Sequence, residues 1–330
     1  MVNNRIILVT GGTGSFGRKF TGIVLRKYKP KKLIIFSRDE FKQSEMAKFY
    51  PEKKYPIRYF LGDIRDKDRL ERAFEGVDYV VHAAALKQVP ALEYNPTEAV
   101  KTNIIGADNI VDAAIDKGVK KVIALSTDKA VIPVNLYGAT KLSAEKIFIA
   151  ANAYAGGRVI FSVIRYGNVV GSRGSVVPFF VSLKRQKIKK FPITDERMTR
   201  FWITLDQGVE LVIRSLKEAE GGEVFVPMIP SMRVVDLAKA IEPECTFKWI
   251  GVRPGEKISE TLISEDEARN TKIYKGIYVI LPATVPRENA YKKYEMYPFV
   301  TEGFTYRSDK NDKWLSISEL REILTGVEIE

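Results

Sequence analysis

The sequence predicts an α/β fold built on a doubly wound parallel sheet, with a smaller, discontinuous part appended to it. Three observations lead there: short apolar runs alternate with helical patterns over the first half, a glycine-rich turn joins the first run to the first helix, and the alternation stops after Arg165. Strands are expected at Ile6–Thr10, Lys32–Phe36, Ile57–Leu61, Tyr79–Ala83, Lys121–Leu125 and Phe161–Arg165. Runs so continuously apolar belong to strands covered on both faces. Helices are expected at Arg18–Tyr28, Arg65–Phe74, Pro96–Lys117 and Tyr137–Tyr154. Past Arg165, Gly167 to Pro178 reads as a loop bordering a site, and Leu205–Glu218, Val234–Ala240 and Ser264–Arg269 as short helices between loops. From Pro282 on, aromatics and charges occur with weak periodicity; a strand-rich segment and an oligomer contact are both open readings.

Composition narrows the class. Lys and Arg number 53 against 41 Asp and Glu, a formal charge of +12, which suits phosphorylated partners or a solvated basic surface. The lysines are scattered (Lys27, Lys29, Lys31, Lys32; Lys184, Lys187, Lys189, Lys190) and no nucleic-acid motif is present, so no nucleic-acid partner is expected. The single cysteine, Cys245, excludes an internal disulfide and fits a reducing compartment. The N-terminus lacks a signal-peptide pattern, and no run approaches the ~18 apolar residues of a membrane span. The chain reads as cytoplasmic, with no membrane partner. No His/Cys/Asp cluster has metal-ligand spacing, so no metal is expected.

Thr10-Gly11-Gly12-Thr13-Gly14-Ser15-Phe16-Gly17 follows the first strand and opens the first helix. Glycines there permit a tight turn and close backbone approach, so that the helix N-terminus can hold a pyrophosphate. Gly11, Thr13, Gly14, Ser15, Phe16 and Gly17 are therefore candidate dinucleotide contacts. About twenty residues on, an NAD site would place an acid on the ribose hydroxyl. Here the second strand ends in Ser37-Arg38, with Lys42 one helical turn later, a pair able to hold a 2′-phosphate. NADP is expected over NAD, although Asp39 and Glu40 stand close enough to swing back. Asp63 and Ile64 would flank the adenine. The fold class is thus α/β, a Rossmann-type doubly wound parallel sheet with a smaller discontinuous substrate-binding part. Residues 1–166 with returning segments form the NADP-binding domain, 167–281 mainly the substrate-binding part, and 282–330 a C-terminal extension.

The chemistry is concentrated in Ser126-Thr127-Asp128-Lys129 and the Tyr137-Gly138-Ala139-Thr140-Lys141 that follows. On a helix the i, i+4 spacing puts Lys141 one turn beyond Tyr137 on the same face, where its ammonium can lower the phenol from its reference pKa near ~10. Such a tyrosine exchanges a proton with a hydroxyl as a hydride leaves. Lys87 follows the fourth strand and would lie near nicotinamide or substrate, with a plain surface charge as the alternative. His82, the only histidine, reads as a core imidazole.

Thr10–Gly17, Asp63, His82-Ala83-Ala84-Ala85, Asn103 and Tyr137 with Lys141 resemble the extended short-chain dehydrogenase/reductases. Ser37–Glu40, Ala83–Lys87, Leu125–Lys141, Arg165–Pro178, Ile193–Trp202 and Gly251–Lys257 further resemble the configuration-inverting UDP-N-acetylglucosamine 4,6-dehydratases that begin pseudaminic acid synthesis. The resemblance implies NADP contacts that also include Ala83, Thr102 and Val169, and a UDP-sugar held by Lys87, Asn168, Arg173, Val176, Thr194, Arg200, Arg253 and Glu256. It implies oxidation at carbon 4 with Tyr137 as base, loss of the carbon 5 proton and of water from carbon 6, and hydride return to carbon 6. Retaining dehydratases carry Thr-Asp-Glu where this chain has Thr127-Asp128-Lys129. Asp128 is then the acid toward carbon 6, Lys129 the acid/base at carbon 5 and Thr127 a hydrogen-bond partner of the 4-hydroxyl. As a base, Lys129 needs a pKa lowered by burial or by Lys141 or Lys87; as an ammonium it could protonate the opposite face and invert carbon 5. A homo-oligomer is expected. A retaining dehydratase or 4-epimerase, and a non-catalytic RNA-binding or scaffold protein, are the competing readings.

Overall fold

The computed structural model describes residues 2–283 and 291–326. Its first half runs β1 (Ile6–Thr10), α1 (Ser15–Lys27), β2 (Lys32–Ser37), α2 (Glu40–Phe49), β3 (Ile57–Leu61), α3 (Lys67–Phe74), β4 (Tyr79–His82), α4 (Val89–Tyr94), α5 (Pro96–Ala99), a π-helical turn (Val100–Ile105), α6 (Gly106–Asp116), β5 (Lys121–Leu125), a 3₁₀ turn (Asp128–Ala130), α7 (Leu136–Tyr154) and β6 (Ile160–Ile164). The second half adds β7 (Asn168–Val169), α8 (Val176–Arg185), β8 (Lys190–Ile193), β9 (Thr199–Ile203), α9 (Leu205–Glu218), β10 (Val224–Pro227), β11 (Ser231–Arg233) and α10 (Val234–Ile241). β12 (Thr246–Trp249), β13 (Thr261–Ile263), α11 (Glu265–Ala268), β14 (Thr271–Tyr274), β15 (Ile277–Ile280), α12 (Lys292–Glu295), β16 (Tyr306–Arg307) and α13 (Ile317–Thr325) complete it.

The main sheet has the order β14-β15-β10-β6-β5-β4-β1-β2-β3 and is parallel from β3 to β10, with β15 and β14 antiparallel at one edge. Ile7, Leu8, Val9, Val80, Val81, Val122 and Ile123 are fully buried, as the uninterrupted apolar runs require of strands covered on both faces. β1 lies between β2 and β4. The chain order reverses there, which opens a crevice at the carboxyl ends of the strands. This is the Rossmann-type sheet the sequence predicts.

Three expectations need correction. Pro96–Lys117 is not one α-helix: a π-helical turn at Val100–Ile105 interrupts it and turns Thr102 and Asn103 inward, both buried. Gly167–Pro178 is not all loop, since it contains β7 and the first turn of α8. The C-terminal extension, described from 291 to 326 beyond Ala283, is mixed: β16 pairs antiparallel with β13 and α13 packs on α10. Its residues 284–290 and 327–330 lie outside the described residues. A second apolar cluster, containing Phe180, Phe191, Trp202, Leu237 and Leu320, forms beside the main core.

His82 ends β4, is buried, and shares a 2.9 Å hydrogen bond between its Nδ1 and Thr10 Oγ1 at the end of β1. Burial, and then the Lys141 charge, push its pKa down to about 3. An unfolded chain binds a proton there below about 6.5, so the folded state loses stability as pH falls from that value toward 3. The loss is about 2 kcal/mol at pH 5. His82→Asn should make the fall in Tm between pH 7 and pH 5 shallower than in the parent chain. Parallel slopes would rule out His82 as the titrating group.

Candidate active site

A cleft of about 630 Å³ opens at the carboxyl ends of β1, β4, β5 and β6. Gly11 takes φ +64°, and a Cβ there would stand 2.9 Å from the Ala84 backbone, so the turn after β1 demands glycine. α1 begins at Gly14 without a side-chain cap, leaving its first N–H groups for a ligand. Thr13 Oγ1 and Ser37 Oγ, 2.9 Å apart, tie the loop to the end of β2. Gly11, Thr13, Gly14, Ser15 and Phe16 line the cleft, whereas Gly17 packs behind the turn.

At the far end, Ser37, Arg38, Lys42, Asp63 and Ile64 also line the wall. Asp39 lines this end of the cleft as well, but its carboxyl is engaged at the start of α2. It caps α2 by accepting from the Lys42 N–H at 2.9 Å and from Lys42 Nζ at 2.5 Å, bonds that hold its carboxyl below the usual range. The expected joint grip of Arg38 and Lys42 is thereby altered, because Lys42 is engaged by Asp39. Arg38 stands 3.6 Å from Asp63, which Arg65 binds more closely at 2.7 Å.

The chemical end is built where β5 meets α7. Ser126 N–H donates to Ile164 O at 2.7 Å, and its hydroxyl donates to Glu145, which Arg165 holds at 2.6 Å. This buried lattice fixes Thr127, whose hydroxyl donates to Asp128 Oδ1 at 3.0 Å and also meets the Tyr137 side chain. Asn135 caps α7 through the Gly138 N–H at 2.8 Å. A Cβ on Gly138 would overlap the Lys129 carbonyl oxygen, so glycine lets the helix press Tyr137 against the 3₁₀ turn. Asn103 accepts from Leu86 N–H at 2.9 Å and donates to Leu86 O at 2.9 Å and Thr140 Oγ1 at 3.0 Å. The π-helical turn thus clamps the segment carrying Ala83 and Lys87 to the tyrosine helix.

The electrostatics differ from expectation. Lys141 Nζ donates to Leu125 O at 2.8 Å and is itself pushed down to about 8 by burial. Burial, with Asp128 adding, pushes the Tyr137 phenol up to about 12, and the cation opposing that rise is Lys129 rather than Lys141. Nor is Lys129 lowered. Its ammonium lies 3.1 Å from Asp128 Oδ1 and 3.0 Å from Glu260 Oε1; burial works against the charge, but the two carboxylates outweigh it and raise the pKa. Lys129 is a firmly held ammonium. Asp128 is fully buried, and burial raises its carboxyl with Glu260 adding and Lys129 and Thr127 opposing. Its Oδ2 makes no hydrogen bond among the described residues. Lys87 borders the cleft, and desolvation followed by the Lys129 charge lowers it.

Opposite, Asn168 and Val169 in β7 and Arg173 reach the cleft. Asn168 Oδ1 is buried without a hydrogen bond among the described residues, and the Arg173 N–H meets Ser15 Oγ at 3.4 Å. Thr102 also lines the wall, its buried Oγ1 unbonded among the described residues. Val176, Thr194, Arg200, Arg253 and Glu256 are not part of this wall. Arg253 pairs with Glu256 at 2.9 Å on the surface, and Arg200 is buried against Thr199 O at 2.7 Å and Ile258 O at 3.1 Å. Sequence reasoning missed Glu260, which no local pattern marks; it meets Lys129 only through tertiary packing.

The sequence model of the polysaccharide biosynthesis protein family matches residues 7–282. The chain belongs to this family. It is similar over 334 residues, at 52% identity and 99% coverage of both chains, to a Campylobacter jejuni subsp. jejuni serotype O:2 protein named UDP-N-acetylglucosamine 4,6-dehydratase (inverting). It is 39% identical over 336 residues, covering 98% of this chain and 96% of the relative, to a UDP-glucose 4-epimerase of Rickettsia massiliae. Among solved structures, the X-ray structure of Pen from Bacillus thuringiensis superposes with a TM-score of 0.89 at 38% identity, covering 99% of this chain and 98% of that one. The short-chain dehydrogenase/reductase motifs quoted above lie on the fold this family shares.

Proposed function

We infer that the chain is a hydro-lyase, an NADP-dependent inverting UDP-N-acetylglucosamine 4,6-dehydratase, whose product is a UDP-2-acetamido-2,6-dideoxy-4-keto-hexose inverted at carbon 5. The observation that carries this is the buried Asp128 carboxyl beside a fixed Lys129 ammonium, next to Tyr137 in the cleft. An oxidoreductase needs only the tyrosine; loss of water needs the further acid and base. The name of the 52% identical relative supports the same substrate. Gly11, Thr13, Gly14 and Ser15 at the start of α1 would hold a nicotinamide dinucleotide in the cleft, which when bound would supply the hydride acceptor for carbon 4 and the hydride donor for carbon 6.

The remaining steps belong to the chain's own residues. Thr127 orients the 4-hydroxyl, and Tyr137 accepts its proton as the phenolate, the form that the Lys129 charge and the Thr127 hydrogen bond favour. Asp128, as carboxylate, takes the acidified carbon 5 proton and passes it to the departing 6-hydroxyl, so water leaves. Lys129 then protonates carbon 5 from the other face and recovers its proton from Tyr137. One 4-hydroxyl proton and one carbon 5 proton are lost and one proton is returned, which with the internal hydride shift balances to the loss of one water. Inversion requires two groups at carbon 5, and a carboxyl held up by burial beside an ammonium held up by two carboxylates suits the two roles. In this reading Asn168 and Arg173, which line the cleft, would meet the diphosphate, with Ala83, Lys87, Thr102 and Val169 at the nicotinamide end; residues 167–281 would cover the sugar nucleotide. Arg200, Arg253, Glu256, Thr194 and Val176 would reach substrate only if that part moved inward.

NADP is preferred because the Asp39 carboxyl, though it lines the cleft, is engaged by the Lys42 N–H and Lys42 Nζ, which leaves Arg38 as the cation at the adenosine end that Asp39 does not hold. Arg38→Ala should weaken NADP about 10-fold or more and NAD little, measured by fluorescence titration; equal weakening would remove the 2′-phosphate contact. A cytoplasmic homo-oligomer acting in pseudaminic acid synthesis is the finer form of this proposal; the lone Cys245 fits the compartment and the motif resemblance implies the pathway. No described helix is long and apolar enough to cross a membrane.

The deciding experiment incubates the enzyme with UDP-N-acetylglucosamine in deuterated water and follows the sugar by NMR. A new 6-methyl signal with deuterium at an inverted carbon 5 is expected. A product keeping its 6-hydroxyl and carbon 5 proton would show a 4-epimerase, the reading favoured by the 39% identical relative. A 6-methyl product with unchanged configuration would show a retaining enzyme.

A further inference from the structure

We propose that Glu260 is a positioning residue that fixes the Lys129 ammonium beside Asp128 and keeps it charged when Asp128 takes up a proton. The proposal rests on the dehydratase reading and adds the group that separates the two acids.

Lys129 meets two carboxylates at nearly equal distance, Asp128 at 3.1 Å and Glu260 at 3.0 Å, but their surroundings differ. Glu260 is 2% exposed and also faces Arg200 at 3.8 Å and Lys257 at 4.0 Å. Burial alone would raise its carboxyl, yet Lys129, Arg200 and Lys257 outweigh burial and hold it ionised. Asp128 pairs with Lys129 alone among the described cations within ion-pair distance. The carboxyl that gains a proton during water loss is therefore Asp128. With Asp128 as its sole counter-ion, Lys129 would become an unpaired cation in a largely closed site at that moment and would shed its proton. Glu260 prevents this, so a proton on Asp128 and one on Lys129 can coexist.

The backbone around Glu260 is held as a site would be. Glu260 N–H donates to Ser308 Oγ at 2.9 Å, Ser308 N–H donates to Glu260 O at 2.9 Å, and Ser308 Oγ lies 2.8 Å from Thr199 Oγ1. The C-terminal extension therefore secures the carboxylate behind the catalytic lysine. The groups that face Lys129 are Asp128 on its own turn, Glu260 before β13, Arg200 on β9, Lys257 in the loop before β13, Lys87 after β4 and Tyr137 on α7. The three other cations disfavour its charge, and removing one of two carboxylates shifts that balance.

The test uses the full chain with NADP and the variants Glu260→Gln and Glu260→Asp. Trace acetylation of the Lys129 amine across pH, read by peptide mass, reports its protonation without turnover. In Glu260→Gln the pH of half-maximal reactivity should fall by about one unit or more, and in Glu260→Asp by less. Dehydration should lose about 10-fold in kcat with KM nearly unchanged, and the alkaline limb of its pH profile should move down with the acetylation curve. A parental acetylation curve in folded Glu260→Gln overturns the proposal, as does a rise in KM with kcat intact. If Glu260→Gln does not fold, a parental curve in Glu260→Asp overturns it equally. A shifted acetylation curve in a chain that never dehydrates UDP-N-acetylglucosamine would leave the Glu260–Lys129 coupling standing and remove the dehydratase reading instead.

Discussion

Asp128→Asn is expected to abolish formation of the 6-deoxy sugar, by about 10³-fold or more, while oxidation at carbon 4 persists. General acid–base catalysis by one group is worth about 10²–10⁴-fold, and Asp128 is assigned two consecutive transfers of the same proton. The amide keeps the size of the carboxyl and can still accept from Thr127, which donates to Oδ1 at 3.0 Å. Lys129 keeps Glu260 as counter-ion at 3.0 Å, so the variant should fold with a Tm close to the parent. In deuterated water, NMR should show no deuterium entering carbon 5, whereas absorbance should still report oxidation of the substrate. A variant that still washes out the carbon 5 proton would move the base role away from Asp128, with Tyr137 next in line because it shares the Thr127 hydroxyl.

The two halves of the molecule were unequally legible in the sequence. β1 and β5 fall where their apolar runs end, because buried parallel strands write themselves as uninterrupted hydrophobic segments between glycine or polar turns. The cofactor loop was legible for a related reason: Gly11 combines φ +64° with a backbone approach in which a Cβ would stand 2.9 Å from Ala84, a demand that glycine answers. The π-helical turn was not, since Val100–Ile105 continues a helical pattern and the widened turn follows from seating Asn103 against Leu86 and Thr140. The catalytic residues themselves were readable from spacing, but their protonation was not. Spacing puts Lys141 near Tyr137; it does not reveal that Lys141 Nζ donates its hydrogen bond to Leu125 O, or that Lys129 is the cation acting on the phenol. Glu260 lies far along the chain from Lys129, in a stretch whose visible feature is the preceding Arg253-Pro254-Gly255-Glu256 turn. Only the pairing of β13 with β16, and Ser308 beyond it, brings the carboxylate to the lysine.

Lys129→Met should cost both activity and stability, and the two losses should respond differently to pH. Methionine preserves the length of the side chain and leaves Asp128 and Glu260 as buried carboxylates without the cation between them. Removing one partner of a buried pair typically costs about 3–5 kcal/mol, so a clear drop in Tm at pH 7 is expected. The lysine's pKa is raised in the fold, so its contribution is complete below the unfolded lysine value near ~10.4 and is lost only as pH rises through the folded value. At neutral pH the parent therefore keeps the whole contribution. Below neutrality the variant's deficit should shrink, because Asp128, freed from its cation and already raised by burial, takes up a proton that relieves the repulsion from Glu260. Activity should not recover along with Tm, since no ammonium remains to protonate carbon 5. A Tm deficit that is constant from pH 7 to pH 5 would show that Asp128 and Glu260 do not share this charge. Inverted product formed at the parental rate would show that another group delivers the proton, and the inversion would then have to come from the Tyr137 side of the cleft.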